Sequence, residues 1–114
     1  MADDLDTISK DIERLGGCAN DLQALSAKAI QAGDAAKAQD LATQAVIMMG
    51  KKAELSAKRR SLETSNPEWR QLLDNLDDLE QKAQGAKADM QKTQDTVEAA
   101  KTVLGAVSKI LTVL

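Results

Sequence analysis

From Trp69 to Leu114 apolar or small residues recur at alternating steps of three and four, without a slip, through Trp69, Leu72, Leu76, Leu79, Ala83, Ala86, Met90, Thr93, Val97, Ala100, Leu104, Val107, Leu111 and Leu114. Thr93 alone is not hydrophobic. A repeat of this period places all of these side chains on one stripe of an α-helix and requires neighbouring helices along its length. It predicts one helix from Pro67 to the C-terminus, with the preceding chain as its partners.

Composition agrees with an all-α fold. Hydrophobic residues are 43% of the chain, yet Phe and Tyr are absent and there is one Trp, so the apolar content is mainly Ala, Leu, Val, Ile and Met. Most of these residues suit helices. At 114 residues a single domain spanning 1–114 is expected, too small to surround a deep catalytic cavity.

Turn signals divide the chain into three helices. Helix one is expected over 3–32, capped by Asp3 or Asp4, with the stripe Leu5, Ile8, Ile12, Leu15, Ala19 and Leu22; Gly16 and Gly17 mark a place where it can kink. Gly33 followed by Asp34 reads as a glycine stop and then a new N-cap, reversing the chain into helix two over 34–63. Thr64-Ser65-Asn66-Pro67-Glu68 combines a polar turn, a capping residue, proline at the first helical position and an acid in the first turn, so helix three starts at Pro67 and covers 67–114.

Pairing the helices as antiparallel neighbours about these turns gives the core layers Leu5, Leu62 and Trp69, then Ile12, Leu55 and Leu76, then Ala19, Met48 and Ala83. The same register brings Lys51 and Lys52 near Asp77 and Asp78, and Lys58 and Arg59 near Asp74. The expected architecture is an antiparallel three-helix bundle or coiled coil. Its third helix, at roughly 70 Å, outruns two helices of roughly 43–45 Å. In that arrangement Val97, Ala100, Val103, Leu104, Val107, Ile110, Leu111 and Leu114 extend beyond the hairpin as an exposed apolar face, the expected interaction site. A four-helix alternative, with the chain folding back around Gly85, buries that stripe within the monomer.

The chemistry-bearing residues are sparse. There is no His and no Tyr, and the single thiol, Cys18, has no imidazole to activate it, so no catalytic residue and no cofactor are expected. Asp74, Asp77, Asp78 and Glu80 lack the loop spacing of a calcium site and read as a solvated face. Leu15-Gly16-Gly17-Cys18 has the lettering of a lipobox, but seven charges and no apolar core lie between Asp3 and Arg14. No apolar run reaches the ~18 residues of a membrane span. With 18 acidic and 15 basic residues intermixed, neither nucleic acid nor anionic lipid is a favoured partner.

The functional expectation is therefore a non-enzymatic helical interaction module that self-associates through its C-terminal helix, its partner being a second copy or another helical protein. An adaptor or chaperone-like protein that binds a partner helix is one alternative. A signal-less exported subunit that forms a filament or touches a membrane is another, and membrane contact ranks below helix association. A lone cysteine fits a cytoplasmic setting, with signal-independent export left open.

Overall fold

The computed structural model describes residues 2–62 and 66–113, and these form four α-helices: α1 (Ala2–Gln31), α2 (Ala35–Ala57), α3 (Pro67–Ala88) and α4 (Thr93–Val113). Helix α1 runs unbroken through Gly16 and Gly17. The glycines do not break it, and its apolar stripe is buried both before and after them. Asp3 and Asp4 fall inside α1 and do not precede it.

The joint between α1 and α2 follows from its two residues. Gly33 adopts φ +84°, a left-handed conformation open to glycine, and Asp34 N–H donates to the Ala29 carbonyl while Gly33 N–H donates to Ile30. These are the two bonds of a Schellman stop. The Asp34 carboxylate then accepts from Lys37 N–H and starts α2. Helix α2 is shorter than expected, ending at Ala57 before a 3-10 turn over Arg59–Ser61. At the next joint Asn66 is the cap, its side chain accepting from Glu68 N–H with Pro67 at the first helical position. The expected alternative cap, Ser65, and Thr64 lie outside the described residues.

Helix three is not continuous. The chain leaves the helix at Asp89, whose backbone is extended (φ −144°, ψ 103°), makes one 3-10 turn over Met90–Lys92, and returns as α4. Neither Gly85 nor a proline makes the break. Asp89 caps the new start by accepting from Gln91 N–H, Thr93 Oγ1 donates to the Met90 carbonyl, and Thr96 Oγ1 donates across the turn to the Lys82 carbonyl. Short polar side chains of this kind compete with the helix for backbone groups and favour its termini. The driving force is apolar burial. Val97, Val103, Leu104, Val107 and Ile110 are all buried in the monomer. At about 1.5–3 kcal/mol each, their burial outweighs the few helical hydrogen bonds lost at the break, about 1 kcal/mol apiece.

The helices pack as two antiparallel hairpins, α1 with α2 and α3 with α4, set side by side so that α1 lies along α3 and α2 along α4. Helices α2 and α3 are diagonal. Helix α2 ends and α3 begins at the same end of the bundle, and the molecule measures 48 × 21 × 19 Å. The direct α2–α3 pairing expected from the sequence is thereby corrected: α4 occupies the place beside α2. Within the core, Ile12, Met48, Leu55, Leu62, Trp69 and Leu76 are buried, whereas Leu5 is half-buried.

Candidate functional site

The residues expected to form an exposed interaction stripe are mostly core. Val97, Ala100, Val103, Leu104, Val107 and Ile110 are buried, Leu111 is half-buried, and Leu114 lies outside the described residues. The apolar face that would have projected into solvent is the face α4 turns toward α2 and α3. It cannot dock a partner while the monomer is folded.

The polar constellations are structural. Arg14 on α1 reaches α3, donating to Glu80 at 2.6 Å and to Asp77 at 2.5 Å, and Lys87 donates to Asp21 at 2.8 Å. These pairs tie α1 to α3 in parallel register and replace the expected contacts of Lys51, Lys52, Lys58 and Arg59 with the α3 acids. Lys51 instead pairs with Glu54 on its own helix, and Lys82 with Asp78. Among the described residues, no three His, Cys, Asp or Glu side chains are arranged to hold a metal ion. Cys18 is buried beside Glu80 and Asp21, and burial first, then these acids, pushes its thiol up to about 12. A thiol so protonated is a small core residue and not a nucleophile.

Beneath the Arg14 pairs, Asp11 approaches Trp69. Trp69 Nε1 and Asp11 Oδ2 are both buried and lack a well-formed hydrogen bond. Burial raises the Asp11 carboxyl above its ordinary value; Arg14 and the indole N–H oppose the rise, and Asp77 adds to it.

What the fold leaves unpartnered is the outward face of the α1–α2 hairpin. On α2 the exposed residues Ala35, Gln39, Val46, Met49 and Ala53, with half-buried Ala42, follow the three-and-four spacing of a second stripe. Val46 is 68% exposed and Met49 42%. On the adjoining flank of α1 stand Asn20, Gln23 and Ala27, all exposed. The seam between the helices is marked by Gly16, where an added methyl group would stand 2.9 Å from Lys52 Nζ. Further along, Ser26 Oγ donates to the Ala38 carbonyl at 2.7 Å.

Charge is sparse at the centre of this face, around Val46 and Met49, although charged residues make up 29% of the chain. Asp21 turns the other way to Lys87, and Lys37 reaches Gln94 on α4. Lys51 and Glu54 satisfy each other. Lys52 lays its stem over Gly16 and lines a depression at the seam together with Glu13 and Arg59, while Asp40 and Glu54 are exposed on the flank of α2. By contrast the solvent side of α3 and α4 carries Arg70, Asp74, Asp78, Asp95, Glu98 and Lys101, all exposed. The second α2 stripe was legible as spacing, but nothing in the sequence ranked it above the stronger C-terminal one.

No described helix is long and apolar enough to cross a membrane. Comparison with protein-family models, curated proteins and solved structures returns no match for the chain. The class that the fold defines is an all-α bundle of antiparallel helical hairpins.

Proposed function

We propose that the protein is a non-enzymatic helical interaction module whose docking surface is the outward face of the α1–α2 hairpin. The observation that carries this reading is the exposure of Val46 and Met49 on one stripe of α2, with charged side chains at its margins. Depletion of charge with retention of methionine and branched aliphatic side chains is the compositional mark of an interface core. The lack of His and Tyr and the protonated, buried Cys18 support a binding role over a catalytic one. Helix α4 has a structural part in this reading: it completes the core that holds the hairpin rigid.

The test is photo-crosslinking in the cells that make the protein, with a photoreactive residue at position 46 and, as control, at the exposed Lys101 on α4. Adducts of discrete mass at position 46 alone are the expected result. Equal labelling at the two positions, or none at either, would refute the reading.

A further inference from the structure

We propose that the depression at the α1–α2 seam lined by Ser9, Glu13, Lys52, Ser56 and Arg59 is a binding site for a phosphate monoester. It is built on the last turns of α2, beyond Val46, and does not rest on the docking reading.

Lys52 carries the inference. Six lysines and arginines are half-buried, and five of them meet an acceptor: Arg14 meets Asp77 and Glu80, Lys37 meets Gln94, Lys51 meets Glu54, Lys82 meets Asp78 and Lys87 meets Asp21. Lys52 alone has none among the described residues. A partly dehydrated ammonium without an acceptor is disfavoured, and the fold accepts a second unfavourable choice to keep this one in place. Gly16 lies in the middle of α1, where glycine is less favourable than alanine, yet the methyl group of an alanine would stand 2.9 Å from Lys52 Nζ. The glycine lets the ammonium sit at the seam.

The groups around Lys52 complete an unengaged donor set. Arg59, in the 3-10 turn that follows α2, adds a second cation. The Ser9 and Ser56 hydroxyls add two donors, and neither is hydrogen-bonded within the described residues. Glu13 lines the same depression but forms no ion pair with either cation. Two cations and two hydroxyls suit a phosphate monoester, which carries about −1.5 to −2 charge at pH 7 and three strong acceptor oxygens. A single carboxylate would leave one cation uncompensated. Glu13 repels the phosphate and can accept from a hydroxyl on the alcohol part of the ester. The depression measures about 180 Å³, smaller than the pockets that hold drug-sized ligands, so it admits a small ester. A nucleic acid strand would call for stacking aromatics, and the one aromatic side chain, Trp69, is buried.

Titration of the isotope-labelled protein with glycerol phosphate, followed through its amide chemical shifts, reads the site directly. The native protein should show saturable shifts confined to residues 9–16 and 52–59. Lys52→Met keeps an apolar stem over Gly16 and removes the charge, so it should weaken binding by about tenfold or more with the melting temperature unchanged. A lysine that merely covers the seam would leave binding untouched by this change. Lys101→Met, which removes an exposed cation on α4, should bind as the native chain does. Phosphatidylcholine vesicles doped with phosphatidic acid present the same group on a lipid and separate the two sources: response to the free ester assigns the site to a soluble compound, and co-sedimentation with vesicles alone, lost in Lys52→Met, assigns it to a headgroup. Absence of saturable shifts at roughly 10 mM ester together with no vesicle binding, or equal binding by the native chain and Lys52→Met, overturns the inference.

Discussion

Replacing Ile110 by alanine distinguishes a C-terminal helix that belongs to the core from one that extends into solvent. Ile110 is 2% exposed, and Val107 and Val103 of the same helix are fully buried, so the truncation opens a cavity in a packed layer. Burial of this completeness puts the loss at about 2–5 kcal/mol. A chain of 114 residues has a total stability of roughly 6–17 kcal/mol, so one side chain removes a substantial fraction of it. At about 4 °C per kcal/mol, the melting temperature should fall by roughly 8–20 °C. Urea unfolding followed by circular dichroism gives the free energy directly, with Val113→Ala as the companion variant. Val113 is 57% exposed and should change stability by less than about 0.5 kcal/mol. If Ile110→Ala is as mild as Val113→Ala, α4 is not packed on the bundle and the four-helix arrangement is wrong.

Spin labels at Gln71 and Lys109, which line one shallow depression between α3 and α4, should lie within about 25 Å of each other, whereas a continuous helix would hold them about 57 Å apart; the longer distance would refute the fold-back. Gly17→Ala and Gly105→Ala meet open space and should each stabilise the helix by about 1 kcal/mol in thermal melts. Gly33→Ala places a side chain at φ +84° and should destabilise by about 1–2 kcal/mol; a neutral result would argue against the Schellman stop. For Asp11 the folded carboxyl is raised, chiefly by burial. Its ionisation therefore weakens the fold most above the folded pKa, and the penalty disappears once pH falls below the unfolded value, about 3.9. Asp11→Asn keeps an oxygen for the Trp69 indole and should raise stability at pH 7 but not at pH 3, and the opposite ordering in urea titrations would sink the assignment.

Much of the fold is written in local residue choices. Helix content follows from the Ala- and Leu-rich composition, the α1–α2 joint from Gly33 and Asp34, and the start of α3 from Asn66 and Pro67, because each answers to groups only a few bonds away. The buried side of every helix is also legible, since the three-and-four period depends on helical geometry alone. The break at Asp89 was hidden by that same period. Ala86 closes the buried stripe of α3 and Thr93 and Val97 open that of α4, and with half-buried Met90 between them the spacing in sequence shows no gap where the chain reverses.

Which helices become neighbours was a tertiary matter. The facing arithmetic that paired α2 with α3 is satisfied equally by apolar stripes that never meet, and only the competition for buried area put α4 beside α2 and sent α3 across to α1. The candidate docking face depends on that outcome. Had α4 extended as a free rod, its own wide apolar stripe would be the surface in search of a partner; once it is folded in, the exposed side chains of Val46 and Met49 remain. Period along a chain tells which side of a helix avoids water, and the three-dimensional packing of all four helices determines which such sides are left unsatisfied.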